Sequence, residues 1–393
     1  MKAIINAKIK TMAPKGGKTR VKDEYEKGVI LIDGKTIKEV GSEKEVKIPK
    51  GAEIINARGK LVLPGFVDAH SHLGMWEESI GFEGADGNEA TDPVTPHLRA
   101  IDAIYPLDEG FENARGGGVT SVVTGPGSAN VIGGQFVAIK TTGHGVDDMV
   151  IKNPIAMKCA FGENPKRVYN SKGTAPTTRM AVAAILRDTL NKAKDYNDRK
   201  KAAKNDPLKK PAFDSKMEAM IPVVEGKLPL KIHAHRCDDI LTAIRIAKEF
   251  NLKATLDHCT DGSLIAKEVK ESGFDAIIGP SFGSKSKLEL KHKSFKTAAD
   301  LYEAGVKIAI MTDCPVHEQG ALPLFAGMAV KAGLPREEAL RAITINAAEI
   351  TGIANRVGSI EPGKDADIVI WGKDPLSVEA KTWKVFIDGE EIK

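Results

Sequence analysis

The chain has 393 residues, of which 42% are hydrophobic and 28% charged, and its net charge is +4. This is an ordinary globular composition, with room for one large domain and a smaller one. The basic residues are scattered, so no nucleic-acid partner is expected, and no apolar run approaches the roughly 20 residues of a membrane span.

Residues 1–60 read as short alternating strands broken by Gly and Asp: AIINAKIK, GVILIDGKTIKEVG and AEIINARGKLVLPG. The IDGK step between two such runs is a hairpin turn signal. The opening residues alternate like a strand and lack the continuous apolar core of a signal peptide, so the cytoplasm is the expected location. Residues 61–354 change character, with short apolar runs alternating with amphipathic stretches. The candidate strands are GFVDAH, TSVVTG, QFVAIKT, PIAMKCAF, LPLKIHAH, KATLDHC, FDAIIGP and VKIAIMTD, the third being the weakest. Eight strands over roughly 290 residues, mostly followed by helices, predict an α/β fold of the (β/α)8 barrel type. An open doubly wound sheet would want a Gly-rich phosphate loop after its first strand, and none is there. Residues 355–393 return to strand patterns, ADIVIWGKD and WKVFIDGEEIK, with an Asp-Gly turn at Asp388 and Gly389. Segments 1–60 and 355–393 are therefore expected to meet in one small β domain.

Two segments read as insertions. Residues 194–216 are Lys-rich and polar with two prolines, which predicts a solvated surface loop. Residues 73–110, after the first barrel strand, carry Glu77, Glu78, Glu83, Asp86 and Glu89. A loop this long at the C-terminal face of a barrel is placed to cover a pocket. Its acids would favour a cationic substrate if they faced inward, although solvent-facing acids are the commoner arrangement.

The chemistry lies where ionisable residues meet strand ends. His70 and His72 end the first strand, and residues two apart on a strand share a face, so both imidazoles can reach one ion. Lys158 and Glu163 flank the end of the fourth strand, His233 and His235 end the fifth, His258 the sixth and Asp313 the eighth. Parallel barrel strands bring these ends to one face, and imidazole with carboxylate suits zinc, iron or manganese. A single histidine at a strand end is more often a structural hydrogen-bonding residue; five of the nine histidines in such positions make a pattern. The four cysteines, Cys159, Cys237, Cys259 and Cys314, form no CxxC pair. Strand alternation turns Cys259 and Cys314 away from the ligand face, so the cysteines are expected to be small packing residues.

The motifs LVLPGFVDAHSHL at 61–73, TDC at 312–314 and NAAEITGIANRVGSIEPGKDADIVIW at 346–371 resemble the amidohydrolase superfamily, in its imidazolonepropionase-related, dipeptidase-like branch. The resemblance covers nearly the whole chain. It implies a barrel at 61–354 with a small β-sandwich built from both termini. It further implies one metal on His70, His72 and Asp313 and a second on His233 and His258, most simply two Zn2+, with Fe2+ or Mn2+ as alternatives. Some members bridge the ions with a carboxylated lysine on the fourth strand and others with a glutamate, and this chain offers both Lys158 and Glu163. Glu163 is favoured here because an unmodified ammonium cannot ligate a metal. His235, sharing the face of His233, is read as a substrate contact, as are Arg236 and His317 in nearby loops.

The implied reaction is hydrolysis of a C–N bond in an amide, peptide-like or cyclic, of a small-molecule substrate by a metal-activated hydroxide. Asp313 would be the catalytic base that carries the proton to the leaving nitrogen. The alternatives are a deaminase of a nitrogen heterocycle, an imidazolonepropionase-like ring hydrolase, and a non-catalytic scaffold. Related deaminases carry a glutamate three residues after the fifth-strand histidine, where this chain has Arg236, a poor proton shuttle. A homo-oligomer stays open.

Overall fold

The computed structural model describes residues 1–14, 21–77, 81–204 and 206–392. Glu78 of the acidic loop therefore lies outside the described residues. Both termini contribute to one eight-stranded sheet. Its N-terminal members are β1 (Lys2–Lys10), β2 (Glu24–Asp33), β3 (Thr36–Ser42), β4 (Glu53–Asn56) and β5 (Leu61–Pro64). A second eight-stranded sheet forms the barrel: β6 (Phe66–Ser71), β7 (Val119–Thr124), β8 (Ile132–Lys140), β9 (Val150–Ala160), β10 (Leu230–Ala234), β11 (Ala254–His258), β12 (Asp275–Ile278) and β13 (Ile308–Ile310). The chain then returns to the first sheet through β14 (Ile368–Trp371), β15 (Thr382–Ile387) and β16 (Glu390–Ile392). The key contact between the two segments is β14 paired antiparallel with β5.

The barrel strands follow chain order around the wall, and the His72 amide donates to the Cys314 carbonyl at 2.8 Å, joining the loop after β13 to the end of β6. One expectation fails at the third strand. β8 runs antiparallel to both β7 and β9, so the wall is not eight parallel strands. The cause is connection length. A parallel pairing needs a crossover of a dozen or more residues, and only 125–131 link β7 to β8. A helix is therefore missing from the outer layer at this point.

The Lys-rich segment is also not simply a loop. Its first half completes a 25-residue helix, Arg179–Ala203, and the next helix begins at Ser215. Lys, Arg and Ala are good helix formers, Asp188–Lys192 and Asp195–Arg199 pair one turn apart, and Ala193 and Tyr196 are buried. Prolines and charge had masked a helix with a narrow apolar stripe.

The two sheets meet over a buried ionic cluster. The Lys140 ammonium at the end of β8 lies 2.8 Å from Asp365, 2.6 Å from Asp367 and 3.3 Å from Asp388. Burial disfavours the charged amine, but the three carboxylates more than offset this and raise its pKa. Cys159, Cys259 and Cys314 are buried in the core between barrel and helices, whereas Cys237 starts a helix and is partly exposed. Among the described residues no helix is long and apolar enough to cross a membrane.

Candidate metal centre

Strand ends β6, β9, β10, β11 and the residues after β13 converge on one mouth. His70 and His72 lie T-shaped with ring centroids 5.2 Å apart, and their Nε2 atoms sit 3.5 Å and 3.3 Å from Asp313 Oδ1. Atoms of His70, His258 and Asp313 fall within 4.8 Å of one another, and so do atoms of His233, His235 and His258. His258 thus belongs to both groupings.

Three of the rings are held by their other nitrogen. His70 Nδ1 donates to Asp257 Oδ2 at 2.6 Å, His72 Nδ1 to the Gly125 carbonyl at 2.6 Å, and His258 Nδ1 to the Gly279 carbonyl at 2.8 Å. With Nδ1 protonated, each Nε2 presents a lone pair to the mouth. The two glycines are required by close approach: a Cβ on Gly125 would stand 2.3 Å from the Phe136 ring, and one on Gly279 2.7 Å from the Met311 carbonyl. His258 and Asp313 have φ of 71° and 57°, a left-handed backbone that costs on the order of 1 kcal/mol or more for such residues. At His258 this breaks strand alternation, so the adjacent Asp257 also faces the barrel interior.

Burial lowers the pKa of His70, His233 and His235 well below the ordinary histidine range and that of His258 to about 4. These rings are neutral at pH 7, the form in which imidazole binds a cation. Burial alone would raise the Asp313 carboxyl, but His258 and His72 beside it hold it well below the usual range. The buried atoms His233 Nδ1, His258 Nε2 and Asp313 Oδ1 have no hydrogen-bond partner. Buried polar atoms are normally satisfied, and acceptors left without donors, as His258 Nε2 and Asp313 Oδ1 are, are what a cation would complete. The donor set therefore fits divalent metal.

The bridging candidates separate in space. Lys158 is fully buried, with Nζ 3.3 Å from His70 Nε2 and above the Phe136 ring. Burial lowers its pKa to about 8. Glu163 is the first residue of the helix Glu163–Asn170, its amide donates to Glu289 Oε2, and it belongs to neither donor grouping. Of the expected substrate contacts, His235 and His317 line the cavity of about 530 Å3 above the cluster, and Arg236 does not. Its guanidinium is paired with Asp238 at 3.0 Å.

Several lining or supporting residues escaped sequence reasoning. Trp76 packs edge-on against His72, and Asn164 reaches His233 Nε2 at 3.4 Å. The buried Lys231 lies 3.0 Å from Asp257. The long loop after β6 does reach the cavity, through Trp76 and Asn88, but its acids Glu83, Asp86 and Glu89 face solvent. A charged residue directly before a strand-end histidine was a usable signal for Asp257; the others come from loop geometry.

Residues 157–392 match the Amidohydrolase family. Amidohydrolase tasK of Hapsidospora irregularis is 30% identical over 92% of this chain, which spans only 39% of that protein's length. An imidazolonepropionase of Symbiobacterium thermophilum is 26% identical over 86% of this chain and 82% of its own. A crystal structure of an amidohydrolase from Thermotoga maritima superposes over the full length of both chains with TM-score 0.94 and 41% identity. The chain belongs to the amidohydrolase family, whose members are hydrolases.

Proposed function

We propose that the protein hydrolyses a C–N bond of an amide, peptide-like or cyclic, at a centre of two divalent ions. His70, His72 and Asp313 would hold one ion and His233 and His258 the other, with Lys158, carboxylated on Nζ, rather than Glu163 as the shared anionic ligand. The observation that carries this reading is the position of Lys158 Nζ, fully buried and 3.3 Å from His70 Nε2. An ammonium there would repel cations. Addition of CO2 to the neutral amine, with loss of a proton, turns the same side chain into an anion.

Bound divalent ions supply Lewis acidity, which makes water nucleophilic near pH 7 and polarises the scissile carbonyl. Asp313, ionised and open to the cavity, takes a proton from the attacking water and delivers it to the departing nitrogen. His235 lines the cavity beside His258, its Nδ1 fixed 2.8 Å from Thr260 Oγ1, and is placed to orient the substrate carbonyl. Arg236, tied to Asp238, takes no part in proton transfer, which disfavours a deaminase that would need a shuttle there. The relatives named imidazolonepropionase keep cyclic amides within the substrate class.

The test is metal analysis of the purified protein, followed by chelation, reloading and a screen of dipeptides, N-acyl amino acids and cyclic amides. About two ions per chain and metal-dependent amide hydrolysis are expected. Folded protein without affinity for divalent metal ends this reading, and metal binding without hydrolysis of any amide favours the scaffold.

A further inference from the structure

The cavity wall carries a charge that the metal reading does not use. Lys287 lines the cavity on the loop after β12, and its side chain is 25% exposed. Its ammonium donates to Asn164 Oδ1 at 2.6 Å, and Asn164 in turn reaches His233 Nε2 at 3.4 Å. Lys287 is therefore one side chain away from the donor cluster. A lysine makes three hydrogen bonds, and Asn164 takes one. The nearest carboxylate, Glu289, is 3.8 Å away and 1% exposed, so it backs the lysine without reaching the cavity. The other lining cation, Lys293, is spent on the carbonyls of Phe282 and Ser284, which it holds at 2.7 Å and 2.8 Å. Among the described lining residues Asp313 is the one carboxylate, and it belongs to the metal donors. The same cavity has an apolar part to its lining: Phe282 is 46% exposed and Val316 59% exposed, and Leu290 also lines it.

We propose that Lys287 binds a carboxylate of the substrate while an apolar group lies on Phe282 and Val316, so that the substrate is an amide bearing both. This rests on the amide-hydrolase reading and names its substrate class. The reaction balances without a further reagent: water adds across the C–N bond, the acyl carbon gains hydroxyl, and nitrogen gains a proton. A charge-assisted hydrogen bond at a partly desolvated ammonium favours an anion over its neutral isostere by roughly 10- to 100-fold.

The test uses zinc-loaded protein and two probes, 3-phenylpropanoate and 3-phenylpropan-1-ol, with binding followed by calorimetry. Wild type is expected to bind the carboxylate at least about tenfold more tightly than the alcohol. Lys287→Met should abolish the difference, Lys287→Arg should retain part of it, and Lys285→Met, on the same loop but outside the cavity lining, should leave it unchanged. Circular dichroism checks that each variant is folded, and Lys287→Gln replaces the Met variant if that one is not. In a turnover arm, N-acetylphenylalanine is compared with N-acetylphenethylamine, its decarboxylated analogue; Lys287→Met should raise KM for the first alone and leave kcat within about threefold. Carboxylate binding that survives Lys287→Met places the anion on the metal and overturns the proposal. So does equal binding of the two probes, or binding of neither. In each of those cases hydrolysis of other amides by the metal-loaded protein leaves the broader reading standing, whereas absence of metal affinity removes both.

Discussion

Asp257 Oδ2 lies 2.6 Å from His70 Nδ1 and 3.0 Å from Lys231 Nζ, so a buried lysine, a carboxylate and a donor histidine form one chain across the barrel interior. Burial alone would raise the Asp257 carboxyl, but Lys231 and His70 pull it well below the usual range. The anion fixes the His70 ring and raises the basicity of its Nε2. Replacing Asp257 by Asn is expected to weaken divalent-metal affinity about 10- to 100-fold. Competition with a chromophoric chelator measures it, and an unchanged affinity would show that Asp257 serves packing alone.

Lys158 and Glu163 make opposite predictions. Lys158→Met should lower metal content from about two ions per chain to about one or fewer and reduce kcat by at least about 100-fold. Glu163→Gln should leave both within about threefold, because the Glu163 backbone starts a helix and its side chain lies outside the donor groupings. Metal analysis and rates on the same preparations decide. Loss of metal in the Gln variant instead would return the bridge to Glu163.

Thiol chemistry offers a check on packing. Burial pushes Cys159 and Cys259 up to about 12, so neither forms appreciable thiolate at pH 8. A native-state alkylation experiment should label Cys237, the partly exposed one, and reach the other three cysteines only after denaturation. Fast native labelling of Cys159 or Cys259, read by peptide mass, would contradict the barrel packing.

Lys140→Met would leave Asp365, Asp367 and Asp388 without their shared buried partner, with only Arg356 beside Asp365 and the exposed Lys35 beside Asp388 remaining among the described residues. A loss of about 3–5 kcal/mol is expected, seen as a lower unfolding temperature. The pH dependence has a definite sign. Because the folded-state pKa of Lys140 is raised above its ordinary 10.5, its contribution is complete below that value and is lost as pH rises through the higher folded value. Wild type should therefore lose an alkaline increment of stability that the Met variant never had.

Much of the centre was legible because it depends on short-range spacing. His70 and His72 share a face by the period of a strand, and His233, His258 and Asp313 could be placed once each was seen to end an apolar run. How deep Lys158 and Glu163 lie in the barrel was not legible: Lys158 pairs in register with Lys231 inside the wall, and Glu163 comes after the strand has ended. The reversed third strand could have been read from its short connection, had loop length been weighed above strand pattern. Lys287 and Asn164 meet across 123 residues through loop conformation, which no periodicity reports.

The reversal of β8 has a structural consequence. Its first residues lie against the site, where Gly134 pairs with Lys158, while its last, Lys140, is carried to the opposite end of the barrel beside Ser121. A forward strand would have delivered that lysine to the mouth. Running backwards, one strand meets the candidate centre at its start and anchors the terminal sheet at its finish. The two ends are accordingly separable targets for protein engineering: with Gly125 kept to hold His72, the rim at 126–131 can be varied away from the clasp that holds the two halves of the molecule together.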